Sequence, residues 1–374
     1  MTEKHGSMTV STIFDRRQPG EATAIEVPIS IAPMMDRTDR HYRYFMRQIT
    51  QRTLLYTEMV TAQAIVYGDR DHLLGFTPSE KPLVLQVGGD DPQMLATSAR
   101  AAADFGYDAI NLNVGCPSDR VSSGNFGACL MVQPERVAEG VAAMMAASPL
   151  PVSVKHRIGV DERDRYEDMA NFVDTVAQTG CRHFTVHARK AWLQGLSPKD
   201  NRTIPPLRYG DVHRLKQEFP HLWIEINGGF TDLDQVSEQL DQVDGVMVGR
   251  AAYDQPYLFS AVDQRFFATD QPALSRQQVV EALLPYIDHW VSQGLKLNKM
   301  TRHMLMLFAG QPGSRLWKQI LTEESCKPGA GVGVVQQAMA AVQRQSAIQT
   351  QLASSAREPQ STPGVQGLGA QGSR

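Results

Sequence analysis

The sequence predicts a (β/α)8 TIM barrel followed by an all-α helical bundle, an α/β class of fold. Eight short apolar segments rich in β-branched residues recur between residues 27 and 248. Amphipathic segments with helical spacing lie between them, which is typical of parallel strands joined by crossover helices. After about Phe267 only helical spacing remains. These three observations predict a catalytic barrel with a helical domain at its carboxyl end.

The predicted strands are Val27–Met34, Leu54–Met59, Leu83–Val87, Ala109–Val114, Val152–Arg157, Phe184–Ala188, Trp223–Asn227 and Gly245–Val248. The predicted barrel helices include Asp91–Phe105, Pro134–Ala147, Tyr166–Thr179 and Asp211–Phe219. Pro92 and Pro134 fall in the first turn of a helix, where proline is tolerated. A doubly wound open sheet is the alternative, but eight strands without a G-x-G-x-x-G after the first favour the barrel.

Four further segments have helical apolar spacing: Ser275–Gln293, Asn298–Ala309, Ser314–Glu323 and Val334–Ile348. The expected organisation is a flexible extension over residues 1–24, a barrel over 25–267, a helical domain over 268–350 and a disordered tail over 351–374. The tail prediction rests on its high content of Gly, Ser, Gln and Pro.

Composition indicates a globular protein, with 42% hydrophobic and 21% charged residues. No segment resembles a signal peptide or a membrane helix, which needs roughly 18 apolar residues. Cys116, Cys129, Cys181 and Cys326 lack C-x-x-C spacing, which argues against a metal site and a disulfide framework. We therefore expect a cytoplasmic monomer with no metal, no membrane contact and no obligate protein partner.

The net charge of −3 gives no global sign of nucleic-acid binding, but two segments are locally basic. Arg182–Glu218 has a charge of +5, and Lys296–Lys318 has five basic residues and no acidic ones. Such segments are commonly just solvated faces. Beside a candidate active site they can instead bind phosphates.

The segment Asn111-Leu-Asn-Val-Gly-Cys-Pro117 ends a predicted strand with polar groups. Asn113 and Cys116 are thereby delivered to a strand end, although a lone cysteine is commonly just a buried structural residue. Other predicted strands end in polar groups as well. They contribute Lys155, His187, Asn227, Gly228, Gly229, Gly249 and Arg250. Polar groups at successive strand ends are typical of a barrel active site.

The residue types at these strand ends suit a flavin phosphate ester. Glycines after the seventh and eighth strands allow backbone N–H groups to approach a phosphate, and Arg250 supplies a counter-charge. Lys155 either extends to the rim or stabilises the negative charge of a reduced flavin. Gln86 can pair with the uracil-like edge of the flavin, and His187 can meet the ring edge or the phosphate.

Several motifs in order resemble those of tRNA-dihydrouridine synthases, and most closely the bacterial A-type enzymes. They are Pro33-Met-Met-Asp36, Thr57-Glu-Met59, Gln86-Val-Gly-Gly89, Asn111 to Val121, His187-Ala-Arg-Lys-Ala-Trp192 and Thr301-Arg-His-Met304. The resemblance covers roughly Ile25 to Ile348. It implies FMN as cofactor, NADPH or NADH as transient reductant, and reduction of uridine to dihydrouridine at positions 20 and 20a of the tRNA D-loop.

The resemblance also implies residue roles. Hydride passes from flavin N5 to C6 of the base, and Cys116 gives a proton to C5. The implied FMN contacts are Pro33, Met34, Met35, Gln86, Lys155, His187, Asn227, Gly228, Gly229, Gly249 and Arg250. The implied tRNA contacts are Asn113, Lys199, Arg202, Arg315 and Lys318. Two positions depart from the family pattern: His156 stands where a small polar residue is expected, and Lys318 where arginine is.

Two other functions stay open at this point. Another FMN barrel, reducing a free pyrimidine or an enone, would share Lys155 and the glycines but would not need a basic helical domain. An RNA-binding module without chemistry would need the basic segments only, leaving Cys116 and Lys155 without a role.

Overall fold

The structure is a computed structural model that describes residues 27–118 and 126–355. The predicted extension over residues 1–24, residues 119–121 of the Asn111–Val121 motif and most of the predicted tail lie outside the described residues. Residues 351–355 of that tail are helical, because the last helix continues to Ser355.

Nine parallel strands form the barrel: β1 (Ile29–Ile31), β2 (Leu55–Tyr56), β3 (Val60–Thr61), β4 (Leu83–Gly88), β5 (Ala109–Val114), β6 (Val152–Arg157), β7 (His183–His187), β8 (Trp223–Asn227) and β9 (Gly245–Val248). Their order is β1-β9-β8-β7-β6-β5-β4-β2, with β3 also paired to β4. A parallel bridge between Ser30 and Leu54 closes the ring. The barrel prediction is therefore confirmed.

The first two strands are shorter than predicted. The predicted Val27–Met34 reduces to β1, and the predicted Leu54–Met59 reduces to β2, which contains two residues. The two-residue strand β3 begins at Val60, just beyond the predicted range. An apolar pattern indicates that a segment is buried. The length of the strand depends instead on how many of its residues pair with a neighbouring strand.

Helices surround the barrel: α1 (Arg40–Arg47), α2 (Ala62–Tyr67), α3 (Arg70–Leu74), α4 (Pro92–Phe105), α5 (Pro134–Ala147), α6 (Tyr166–Ala177), α7 (Tyr209–Glu218), α8 (Leu233–Leu240), α9 (Arg250–Asp254) and α10 (Val262–Phe267). Short 3-10 helices cover Pro78–Glu80, Gly127–Val132, Asp200–Arg202 and Pro256–Ala261. Helix α4 shows why the local signals succeed. The Asp91 carboxylate accepts from Met94 N–H, Pro92 occupies the first turn, and Gly106 ends the helix at φ 82°.

Four helices follow the barrel, in the part of the chain predicted as a helical domain: α11 (Arg276–Ser292), α12 (Asn298–Thr301), α13 (Ser314–Glu324) and α14 (Val332–Ser355). Ser275 and Gln278 form a capping box at the start of α11. The predicted helix Asn298–Ala309 is regular only as far as Thr301 and continues as turns. Trp317 of α13 is completely buried, and its Nε1 donates to the Met304 carbonyl at 3.0 Å.

Among the described residues, no helix is both long and apolar enough to cross a membrane.

Candidate active site at the barrel mouth

Parallel pairing brings the polar strand ends to one end of the barrel. Asn113 pairs with Lys155 across β5 and β6, and the register aligns Arg157, His187 and Asn227 on three successive strands. Side chains at these positions therefore meet at the carboxyl end of the strands, where barrel enzymes hold their active sites.

The loop that carries Cys116 is fixed by hydrogen bonds on both sides of the thiol. Asn113 Oδ1 accepts from Gly115 N–H at 3.1 Å and from Cys116 N–H at 3.0 Å. The Cys116 carbonyl accepts from Ala128 N–H at 2.9 Å. The thiol is free and partly exposed, with Sγ 3.6 Å from Ser118 Oγ. A fixed backbone with a free thiol suits a group that donates a proton at a defined place.

Arg157 joins this loop to the one after β7, a role that the sequence argument missed. Its Nε donates to the Gly115 carbonyl at 2.8 Å, while Nη1 donates to the carbonyls of Lys190 and Asn201, each at 3.0 Å. Arg157 is 3% exposed, and burial lowers its pKa to about 10. A sequence signal was present, since Arg157 lies two residues after Lys155 at the end of the same apolar strand.

Side-chain amides of β4 and β5 form a chain of hydrogen bonds that ends at a serine of β6. Asn113 Nδ2 donates to Gln86 Oε1 at 2.9 Å, and Gln86 Nε2 donates to Asn111 Oδ1 at 2.8 Å. Asn111 Nδ2 continues to Ser153 Oγ at 2.9 Å. Gln86 and Asn113 are thus held in fixed orientations, and each amide nitrogen keeps a second hydrogen for a ligand.

Lys155 lies in β6, two residues before the end of the strand. Its Nζ donates to Asn227 Oδ1 at 3.1 Å, and Asn227 Nδ2 donates to the Met247 carbonyl at 2.7 Å. Burial, and next the charge of Arg157, lower the pKa of Lys155 to about 8, although Glu225 opposes the shift. Asn227 is a neutral partner, so Lys155 remains electrostatically suited to an anionic ligand.

Glu225 lies below Lys155 in the barrel interior. It accepts from Ser30 Oγ at 2.5 Å and from Thr185 Oγ1 at 2.6 Å. Burial raises the pKa of Glu225, and the two hydroxyl groups oppose that shift. The carboxylate therefore links β1, β7 and β8 under the mouth.

His187 lies among positively charged side chains at the barrel mouth. Its pKa lies well below the usual value, first because of burial and then because of the charges of Arg157, Lys155, Arg189 and Arg250. Four cations that disfavour a protonated imidazole would equally favour a bound anion. The predicted phosphate contact of His187 and Arg250 is consistent with this field.

Two glycines give access to the same region. Gly228 has φ 137° and Gly229 has φ 82°, a conformation that residues with a side chain rarely adopt. A Cβ on Gly228 would lie 2.8 Å from the Leu207 side chain and 3.2 Å from His187. Gly249 precedes α9, and a Cβ there would have only Ala32 within 4 Å. A side chain at Gly228 would therefore collide with Leu207 and crowd His187, whereas Gly229 is exposed at this end of the barrel.

The segment after β1 forms another part of the rim. Pro33 and Met34 are partly buried, whereas Met35 is 55% exposed. The Met34 carbonyl accepts from Thr38 N–H at 3.0 Å, and Thr38 Oγ1 accepts from Met34 N–H at 3.0 Å. These bonds fix an apolar segment beside the strand ends, where the sequence predicts contact with a flavin.

The basic residues that form ion pairs are not the residues predicted to contact RNA. In the first basic segment Lys190, Arg208, Arg214 and Lys216 all bind carboxylates. In the second, Arg302 binds Asp39. The side chains of the predicted RNA contacts form no ion pair among the described residues; these are Lys199, Arg202, Arg315 and Lys318. The count of five basic residues in Lys296–Lys318 therefore overstated the charge available to RNA.

His156, which departs from the family pattern, faces away from the mouth. It is completely buried, and its ring packs against Phe172 and Phe184 at centroid distances of 5.0 and 6.1 Å. Its Nδ1 lies 2.8 Å from the Arg157 carbonyl, and burial lowers its pKa to about 4. The departure therefore affects packing behind β6 and leaves the groups at the mouth unchanged.

Comparison with known proteins agrees with the geometry. A family model described as dihydrouridine synthase (Dus) matches residues 30–345. The chain belongs to the dihydrouridine synthase family. A tRNA-dihydrouridine(20/20a) synthase of Synechocystis sp. is 59% identical over 314 residues, which cover 84% of this chain and 94% of that protein. The Vibrio vulnificus enzyme of the same name is 53% identical, with coverages of 84% and 96%.

A solved structure of 2-naphthoyl-CoA reductase in complex with 2-naphthoyl-CoA is also similar. It has a TM-score of 0.50 and 10% sequence identity, and the match covers 64% of this chain and 50% of that one. This likeness concerns the fold alone.

Proposed function

We propose that this protein reduces the C5–C6 double bond of uridine in the tRNA D-loop to 5,6-dihydrouridine, at positions 20 and 20a as named for its relatives. The observation that carries the proposal is the fixed Cys116 thiol at the same barrel mouth as Lys155 and the cations around His187. The names of the relatives supply the substrate, and the geometry supplies groups suited to it.

The residues at the mouth would suit FMN, and the flavin dependence of the dihydrouridine synthase family supports this part of the proposal. When bound, FMN would supply the hydride chemistry, with NADPH or NADH as its transient reductant. The cations around His187, with Gly228, Gly229 and Gly249, would hold the phosphate. Lys155 and Gln86 would bind the polar edge of the ring, and Pro33, Met34 and Met35 would contact its apolar parts.

The chain's own residues account for the proton and for the position of the base. The target uridine must leave its stack to enter the mouth. Asn113 Nδ2 would donate its second hydrogen to the base. The Cys116 S–H bond breaks as the C5–H bond forms, and the thiolate that remains lies in the field of Lys155 and Arg157. Solvent then returns the proton.

The helical domain, over residues 268–350, is proposed to bind the tRNA. Arg315 and Lys318 lie on α13, and Lys199 and Arg202 lie in the loop after β7. Phosphate binding needs basic side chains that no carboxylate neutralises, and these four meet that condition within the described residues. We also propose that the protein acts in the cytoplasm as a monomer and needs no protein partner.

The test is mass spectrometry of tRNA after incubation with the protein and NADPH. We expect a gain of two hydrogens in fragments that contain positions 20 and 20a. With the Cys116→Ala variant this product should form about 10²–10⁴ times more slowly. Rapid turnover of a free pyrimidine or an enone, with tRNA unchanged, would instead indicate a small-molecule reductase. Tight RNA binding by a protein without flavin would indicate a binding module.

A further inference from the structure

One carboxylate connects the barrel to the helical domain. Asp39 Oδ1 accepts from the N–H groups of His41 and Tyr42, each at 3.0 Å, and thereby caps α1 of the barrel. Its Oδ2 accepts from Arg302 Nη2 at 2.5 Å and from His303 Nε2 at 3.1 Å. Arg302 and His303 belong to the Thr301-Arg-His-Met304 motif, to which the proposed function assigns no role.

Asp39 is held as a carboxylate at this contact. Burial acts to raise the pKa of Asp39, but the hydrogen bond and the charge of His303, and then the hydrogen bonds from Tyr42 and Arg302, outweigh it and hold the pKa well below its usual range. Burial lowers the pKa of His303. Its Nδ1 lies 3.2 Å from the Tyr253 hydroxyl, and its Nε2 lies 3.1 Å from Asp39 Oδ2 and 3.2 Å from Arg302 Nε. Asp39, Arg302 and His303 therefore form one hydrogen-bonded cluster, in which the Arg302 guanidinium supplies a positive charge beside the Asp39 carboxylate.

A short route leads from this contact to the predicted RNA-binding residues. The Met304 carbonyl, next to His303, accepts from Nε1 of the buried Trp317 at 3.0 Å. Trp317 lies on α13 between Arg315 and Lys318. Fixing Arg302 and His303 therefore also fixes the helix that is proposed to bind RNA.

Other contacts between the two domains are mostly aromatic. Tyr44 stacks on Tyr286 with a centroid distance of 3.7 Å, and His41 Nδ1 lies 2.9 Å from the Tyr286 hydroxyl. Aromatic contacts contribute mainly through buried area, whereas hydrogen bonds to charged groups are shorter and about twice as strong as neutral ones. Asp39 supplies the charged contact of this set.

We propose that Asp39 is a positioning residue which, through Arg302 and His303, fixes α13 relative to the barrel mouth and so determines which uridine of a bound RNA reaches Cys116. This inference rests on the proposed function. An RNA held by α13 and a base held at the mouth must be separated by a constant distance if the enzyme is to select one position. The Asp39 contact would maintain that distance.

The first test is Asp39→Asn in the full-length holoenzyme. Asparagine caps a helix about as well as aspartate, so α1 is retained while the charge is lost. We expect flavin content and NADPH oxidation to stay within about twofold and the Kd for tRNA within about threefold of wild type. The kcat for dihydrouridine should fall by roughly 10- to 100-fold, because small misplacements are costly in rate. Mass spectrometry should also find product at additional uridines.

Asp234→Asn is the matched control. Asp234 pairs with Arg265 at 2.7 Å between two helices of the barrel, so the same substitution removes an ion pair without touching the domain contact. Its kcat and product positions should equal those of wild type.

Arg302→Gln removes the other partner of the contact and leaves Asp39 to cap α1. If Asp39→Asn folds poorly, this variant tests the inference in its place. The double variant should be no worse than either single variant, as expected for two residues that act through one contact. Wild-type kcat and product positions in the variants would overturn the inference, as would a kcat loss matched by an equal loss of tRNA affinity. If wild type itself forms no dihydrouridine, the proposed function fails instead.

Discussion

Replacing Lys155 with methionine should stabilise the flavin-free protein while weakening its hold on FMN. Within the described part of the chain, the Lys155 ammonium donates a hydrogen bond to the neutral Asn227 and forms no ion pair. Its pKa of about 8, against an ordinary value of 10.5, corresponds to about 3 kcal/mol of destabilisation when the amine is charged. Because Lys155 keeps some exposure at the mouth, we expect about 1–2 kcal/mol in practice.

The pH dependence of this effect has a definite sign. A lysine whose pKa is lower in the folded than in the unfolded protein makes the folded state bind fewer protons. The stability of the flavin-free wild type should therefore rise as the pH increases from about 8 towards 10.5. The advantage of Lys155→Met should be largest below pH 8 and should disappear as the amine of the unfolded chain also loses its proton.

Thermal unfolding of the two flavin-free proteins at several pH values is the assay, with FMN titration as the second measurement. Lys216→Met is the control, since Lys216 forms an ion pair with Asp244 at 2.7 Å and its removal should destabilise. With FMN, Lys155→Met should bind more weakly and the bound flavin should have a lower reduction potential. The reasoning is refuted if Lys155→Met destabilises the flavin-free protein like the control, or if FMN affinity and potential do not change.

The remaining predictions concern the proton, the RNA and the loop. Cys116→Ala should bind FMN and oxidise NADPH normally while dihydrouridine formation falls by about 10²–10⁴; unimpaired product formation would exclude the thiol. Arg315→Ala/Lys318→Ala should keep NADPH oxidation but bind tRNA more weakly, with a salt dependence flatter by roughly one counterion per lost contact; wild-type affinity and slope would place the RNA surface elsewhere. Arg157→Lys should retain FMN but lower the kcat for tRNA about tenfold, because lysine lacks the guanidinium fork; an unchanged kcat would make the loop contact dispensable.

The sequence by itself determined the barrel and which polar residues lie at the ends of its strands. Parallel strands are buried on both faces, so their apolar runs are visible in the sequence, and a polar residue that ends such a run must lie at the rim. That reasoning predicts that Cys116, Lys155, His187 and Asn227 lie at the strand ends, and the structure places them there. Helix bounds such as Pro134–Ala147 also followed from local signals, because caps and helical spacing are local.

Only the tertiary structure decided which charges are available and what orients them. Arg302 counted as one of five basic residues, yet it binds Asp39, which is 263 residues away in the sequence. Arg157 looked like one more polar strand end, yet it joins two loops by donating to three carbonyls. Backbone carbonyls occur at every residue, and a pattern of residue types does not show which of them a side chain will meet. Such pairings form only when distant segments pack, and for that reason the position of the helical domain could not be derived from the sequence.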